Sequence, residues 1–297
     1  MSNAYQRRLS LTGVNTAELT ERELRALADG VLEAGIHGLC FSPYVDGQGP
    51  GTQLDAAQIR ERVAIVQDKV RWLRTFSCTE GNELIPGIAA EAGIKSMVGV
   101  WLDDDLDNNE RELANAAEIV RAGNAGILAV GNEVLLRGDL SEQQLLDYIE
   151  RAKAFAGGVP VGYVDAYFEF VDHPAISEAC DVILANCYPF WEGCPAEFSA
   201  LYLKDMYRRA QHAANGKPVI VSETGWPNLG RAFDGAIPGV ESAIKYFVDT
   251  FRWAEEDGVE IFYFSAFDEA WKVGAEGDVG AYWGLWDKDG RPKYGSN

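Results

Sequence analysis

The sequence is poor in the residues that would hold a metal or a disulfide framework. Its five cysteines, Cys40, Cys78, Cys180, Cys187 and Cys194, form no CxxC pair and are odd in number. They read as buried free thiols. The three histidines, His37, His173 and His212, are scattered without metal-ligand spacing. No metal and no cofactor are expected. Positive charge is also short: 26 Lys and Arg stand against 46 Asp and Glu, a net charge of −20. Nucleic acid and anionic membrane surfaces repel such a chain, so neither is an expected partner. A neutral or cationic substrate fits. No apolar run approaches the roughly 18 residues of a membrane span. The first residues, Met1 to Leu11, lack the apolar core of a signal peptide. That predicts an intracellular protein, or one whose leader has been removed. There is no linker, low-complexity tract or internal repeat. One domain over residues 1–297 is expected, and a monomer.

Two segments imitate binding motifs and fail on inspection. Asp103 to Glu110 alternates carboxylates like a calcium loop. The glycine and glutamate that an EF-hand requires are replaced by Asn108 and Ala114. It reads as a strand-end loop followed by an acidic first helical turn. Gly47-Gln48-Gly49-Pro50-Gly51 lacks the glycine spacing of a dinucleotide loop, and Pro50 removes an amide donor.

What is present is a chain of 297 residues, 47% of them apolar, long enough for one (β/α)8 barrel. Eight apolar segments read as strands: His37–Phe41, Val70–Phe76, Lys95–Trp101, Ile127–Glu133, Pro160–Asp165, Asp181–Tyr188, Lys217–Glu223 and Glu260–Phe267. Several are apolar on both faces, as parallel strands under helices must be. Amphipathic segments alternate with them. Ser141 with Gln144 is a capping box, and Asp55 can cap a helix with the stripe Ile59, Val63, Val66 and Val70. A second box, Thr20 with Glu23, opens a helix over 20–34 before the first strand, placed to close the ring at the barrel's bottom. A single (β/α)8 barrel is the expected fold, with a doubly wound open sheet as the alternative.

The predicted strand ends are polar in a way the strand bodies are not. In chain order they carry Tyr44, Arg74, Trp101 with Asp103, Asn132 with Glu133, Asp165, Tyr188, Glu223, and Asp268 with Glu269. A barrel places its chemistry at that end. Two glutamates at two strand ends suggest a carboxylate pair across one cleft, the requirement of glycoside hydrolysis. Tyr167, Trp191, Trp226, Trp271 and Trp283 fall on or just beyond strand ends. Flat aromatics beside hydrogen-bonding groups suit a sugar, which has apolar C–H faces and hydroxyl edges.

Seven segments together resemble glycoside hydrolase family 17, the β-1,3-glucanases and β-1,3-glucan transglycosylases. They are Phe41-Ser42-Pro43-Tyr44, Arg74-Thr75-Phe76-Ser77, Val130-Gly131-Asn132-Glu133, Val164-Asp165-Ala166-Tyr167, Asn186-Cys187-Tyr188-Pro189-Phe190-Trp191, Ser222-Glu223-Thr224-Gly225-Trp226-Pro227, and Phe267-Asp268-Glu269-Ala270-Trp271-Lys272. The likeness runs from Gly38 to about Tyr294 and is closer to the compact fungal and bacterial members than to the plant endoglucanases. It implies a retaining (β/α)8 enzyme acting on β-1,3-glucan. A β-glucan-binding barrel without turnover is the alternative.

The resemblance also implies roles. Glu133 matches the acid/base and Glu223 the nucleophile. Glu133 must then hold a proton near neutral pH, in an apolar or negatively charged site. Glu223 must be ionised, with Tyr188 and Arg74 as donors. Asn132 would bind the sugar's 2-hydroxyl. Glu269 and Lys272 are expected at the substrate site, as an ion pair bracing the cleft with direct substrate contact as the alternative, and Trp271 as a wall of the sugar site at the cleaved bond. Asp165 and Tyr167 are expected on the acceptor side, with Tyr44 and Trp226 also on the substrate.

Overall fold

The computed structural model describes residues 16–274 and 276–295. Residues 1–15, with the polar N-terminal stretch noted above, lie outside it. Eight parallel strands close into a barrel in chain order: β1 Ile36–Cys40, β2 Val70–Arg74, β3 Lys95–Val100, β4 Ile127–Asn132, β5 Val161–Ala166, β6 Val182–Asn186, β7 Val219–Thr224 and β8 Ile261–Tyr263. Pairing of β1 with β8 completes the ring. The barrel expectation is met, and the open sheet is excluded.

Most strands stop one or two residues short of the predicted ends, and β8 falls shortest. Beyond Tyr263 the chain leaves ladder geometry but keeps its bonds to both neighbours. Phe264 N–H donates to the Thr224 carbonyl at 2.8 Å and Ala266 N–H to that of Cys40 at 2.9 Å. Between them, Ser265 N–H turns to the Trp283 carbonyl at 3.1 Å.

Helices α1 Glu21–Ala34, α2 Ala56–Val66, α3 Ile85–Glu91, α4 Leu106–Arg121, α5 Val134–Arg137, α6 Glu142–Phe155, α7 Glu169–Asp172, α8 Pro174–Ala179, α9 Ser199–Ala213 and α10 Val240–Asp257 alternate with the strands. Both capping boxes form, Thr20 with Glu23 on α1 and Ser141 with Gln144 on α6. Asp55 caps α2 by accepting from Ala57 and Gln58 N–H. The stripe on α2 ends at Val66; Val70 opens β2 instead, because a turn over 67–69 separates the two. Helix α1 packs alongside α10, the helix before β8. Arg25 ties it to the carbonyl of Lys293 at 2.9 Å. No helix among the described residues is long and apolar enough to cross a membrane.

Two glycines show why the motif residues stand where they do. A Cβ at Gly225 would lie 2.2 Å from the Phe264 carbonyl oxygen, so only glycine lets β7 and β8 approach after Glu223. Gly131 has φ +84 and turns the chain just before Asn132 and Glu133. The ladders β4–β5, β6–β7 and β7–β8 each shift register near the C-terminal end. Such irregularities re-aim side chains beside a site. Here they fall on the strands that carry Asn132, Asn186 and Glu223.

Candidate active site

The C-terminal strand ends open into a cleft of about 920 Å³. Glu133 and Glu223 both line it, from β4 and β7, with β5 and β6 between them on one side of the ring. Their surroundings differ sharply.

Glu223 is held by two donors. Arg74 Nη1 donates to Oε1 at 2.5 Å and Tyr188 Oη to Oε2 at 2.6 Å. Arg74 rises from β2 inside the barrel and is 1% exposed. Burial works against its charge, but Glu223 and Cys40 beside it outweigh that and hold its pKa above the usual value. Burial, with Glu223 adjacent, keeps Tyr188 a neutral phenol and hence a donor.

Glu133 accepts one neutral donor, Asn186 Nδ2 at 2.8 Å on Oε1. Burial, followed by the charge of Glu223, pushes its carboxyl up to about 7; the Asn186 bond and Arg74 work the other way. Asn186 is itself held by Ser222, whose Oγ donates to Asn186 Oδ1 at 2.9 Å. A polar lattice therefore links the two glutamates through their neighbours. The other arm of Arg74 closes it: Nη2 donates to Asn132 Oδ1 at 2.6 Å. Since a guanidinium only donates, the amide oxygen of Asn132 is committed. Its NH2 is left as the group a sugar hydroxyl can meet.

The cleft walls are aromatic. Trp271, 40% exposed, stands edge-on to Tyr44 with ring centroids 6.2 Å apart. Lys272 Nζ lies 5.2 Å from the Trp271 ring centre, 4.0 Å from that of Phe264 and 3.0 Å from Glu269. Burial opposes its charge, but Glu269, Glu276 and Glu223 together keep Lys272 cationic. Glu269 is buried behind the wall, in the bracing ion pair expected. On the opposite wall Tyr167 accepts from Arg209 Nη1 at 2.9 Å, with the guanidinium 4.7 Å above its ring.

Of the residues named from sequence, Tyr44, Asn132, Glu133, Tyr167, Tyr188, Glu223, Trp271 and Lys272 line the cleft, and Arg74 supports it from below. Two expectations need correction. Trp226 is 0% exposed and lies behind the cleft. It packs on Phe190 and Tyr246 and donates from Nε1 to the Ile237 carbonyl at 3.1 Å. Asp165 is also 0% exposed, and its carboxylate is taken up by groups of its own interior.

Asn186 stands in one of the motif segments but was not legible as the partner of Glu133. Glu112 gave no signal, because on α4 it reads as one more helical acid. It is fully buried and accepts four donors: Ser77 Oγ at 2.5 Å, Thr79 Oγ1 at 2.7 Å, Cys78 N–H at 2.6 Å and Trp101 N–H at 3.1 Å. It latches the loop after β2 to the end of β3. The acidic stretch 103–110 forms the cap and first turn of α4, with Asp105 accepting from Asn108 N–H. No metal-binding cluster occurs among the described residues.

The chain is similar to known proteins in both sequence and structure. A family model described as the BtgE/BtgC glycoside hydrolase domain matches residues 38–284. A glucan 1,3-beta-glucosidase of Candida albicans is 30% identical over 82% of this chain and 87% of its own length. A protein of the same name from Saccharomyces cerevisiae is 31% identical over 82% and 86%. Among solved structures, a glycoside hydrolase family 17 beta-1,3-glucanosyltransferase from Rhizomucor miehei superposes with a TM-score of 0.80 at 27% identity, covering 89% of this chain and 98% of that one.

Proposed function

The chain belongs to the BtgE/BtgC glycoside hydrolase family, and we propose that it cleaves or rebuilds β-1,3-glucan by double displacement, with Glu223 as nucleophile and Glu133 as acid and base. The resemblance to glycoside hydrolase family 17 read from the motifs is met by these relatives. One observation carries the assignment of roles: the two glutamates share a cleft but not an environment. Arg74 and Tyr188 both donate to Glu223, while burial and the facing charge of Glu223 favour the protonated form of Glu133. A carboxyl held by a guanidinium and a phenol suits the nucleophile, and one whose proton affinity is raised suits the acid.

In the first step a Glu223 oxygen bonds to the anomeric carbon as the glycosidic bond breaks. Glu133 gives its proton to the departing oxygen. The glycosyl-enzyme ester is the intermediate, and Glu133 is now a carboxylate. In the second step Glu133 takes a proton from the incoming hydroxyl, whose oxygen attacks the anomeric carbon and releases Glu223. Water as acceptor gives hydrolysis, and a sugar hydroxyl gives transfer. The Asn132 NH2 is placed to bind the 2-hydroxyl of the reacting sugar, a contact that tightens in the transition state.

The test is a time course of products from a β-1,3-gluco-oligosaccharide series, wild type beside Glu223→Ala. Shorter products that vanish in the variant support hydrolysis through Glu223. Products longer than the substrate assign transfer. No turnover by the wild type on any member overturns the β-1,3-glucan reading and favours a binding barrel.

A further inference from the structure

Asp165 invites explanation because it is a fully buried carboxylate at a strand end that does not face the cleft. Its contacts all lead to the chain that follows Glu133. Leu135 N–H donates to the Tyr163 hydroxyl at 2.9 Å, and that hydroxyl donates onward to Asp165 Oδ2. Leu136 N–H reaches the same oxygen at 3.4 Å, and Ala166 N–H meets Oδ1 at 2.7 Å. Between these two side chains on β5, the Val164 carbonyl accepts the Glu133 N–H at 2.8 Å. Three consecutive residues of β5 thus grip Glu133 and the first turn after it.

The conformation they grip needs holding. Glu133 has φ 52 and ψ 32, a left-handed geometry that a non-glycine residue keeps only when its surroundings enforce it. Arg137 closes the same turn from the other side, its guanidinium donating to the carbonyls of Asn132 and Leu102. A buried carboxylate is a costly acceptor for amides unless every bond is made. At Asp165 all three partners donate, and they work against burial, which pushes the carboxyl up to about 6. The charged groups facing Glu133 are Glu223 on β7, Asp165 on β5 and Arg74 on β2, with the Asn186 amide from β6. Glu169 on α7 faces Asp165 in turn.

We propose that Tyr163 and Asp165 are a positioning pair for Glu133: a buried strut under helix α5 that fixes the left-handed turn and so aims the carboxyl at the departing glycosidic oxygen. The pair touches no substrate and acts through Glu133, so the inference rests on the acid/base reading of that residue. It replaces the expected substrate contact of Asp165 with a role beneath the site.

The experiment compares kcat/KM on two substrates, a β-1,3-gluco-oligosaccharide and the 2,4-dinitrophenyl glycoside of the same disaccharide. The aryl leaving group departs as a stable anion and needs no proton. Asp165→Ala removes both oxygens that meet the Tyr163 hydroxyl and the Leu136 and Ala166 N–H groups, and so breaks the strut. It should lose about 30-fold or more in kcat/KM on the oligosaccharide, with KM there changed by under about twofold, and less than about threefold in kcat/KM on the aryl glycoside. Tyr163→Phe, which keeps the carboxylate, should lose about tenfold with the same selectivity. Equal losses on both substrates, or none, overturn the proposal, since a merely structural role weakens both reactions alike. Glu133→Ala run alongside separates the two readings. If it too lacks leaving-group dependence, the acid/base assignment fails and takes the strut with it. If it shows that dependence and the strut variants do not, only the strut fails.

Discussion

Replacing Glu223 by glutamine keeps the shape of the site and removes the charge that faces Glu133. The Glu133 carboxyl stands at about 7 against an ordinary 4.5, burial first and Glu223 second. At about 1.4 kcal/mol for each pH unit, that rise is worth about 3 kcal/mol. Burial, the leading cause, remains in the variant, so part of the rise should persist. Arg74, freed of its partner, adds a pull in the same direction. The Glu133 midpoint should therefore fall by about one pH unit, to about 6. The assay is a carbon-13 titration of carboxyl-labelled glutamate, with Glu133→Gln assigning the signal. Asn186→Ala supplies the opposite sign. Its amide favours the charged form of Glu133, so its loss should raise the midpoint above the wild-type value. In wild type the same group sets the alkaline limb of kcat/KM, and activity should fall as pH rises through about 7. An unmoved midpoint in Glu223→Gln would refute the shared field, and a wild-type midpoint near 4.5 would refute the burial argument itself.

Other outcomes follow from the same geometry. Because the folded pKa of Glu133 lies above its unfolded value, the stability it lends is fully present below about 4.5 and is lost as pH rises through about 7. Glu133→Gln should then match wild type in urea unfolding at pH 4 and be more stable at pH 8, by at most about 3 kcal/mol. Arg74→Met leaves Glu223 buried without its ion partner and should cost about 3–5 kcal/mol in the same assay, besides abolishing turnover. Trp226→Ala opens a buried void and should cost about 3–5 kcal/mol, yet leave the KM of folded enzyme for oligosaccharides unchanged. Trp271→Ala should do the reverse, raising KM with little effect on the melting temperature, because its ring is on the cleft wall and half in solvent.

The barrel was legible because its strands leave a plain mark. Strands covered on both faces, such as Val219-Ile220-Val221 before Ser222 and Glu223, read as unbroken apolar runs between helices with explicit caps. Strand ends were less legible. Val70 fits both the helical stripe of α2 and the start of β2, and only the tight turn over 67–69 decides. Phe264 to Phe267 continues the apolar run of β8, but backbone bonds to three different neighbours end the strand at Tyr263. Within the site, residue type located the ring of polar ends but not the direction of each side chain. Asp165 and Trp226 have the chemistry of sugar contacts but are fully buried, and Trp226 lies beyond the end of β7, where strand alternation no longer tells its side. Glu112 was invisible because its four donors come from two separate loops that meet only in the folded barrel.

The most direct test of the central claim is to trap the glycosyl-enzyme. A 2-deoxy-2-fluoro β-laminaribiosyl fluoride carries a good leaving group and a ring substituent that slows breakdown of the ester. Intact-protein mass followed by peptide mapping reads which carboxyl carries the sugar. The account predicts one disaccharide unit per chain, attached to Glu223 and absent in Glu223→Gln. Label on Glu133 or on another residue, or no adduct from enzyme that turns over β-1,3-gluco-oligosaccharides, would contradict it.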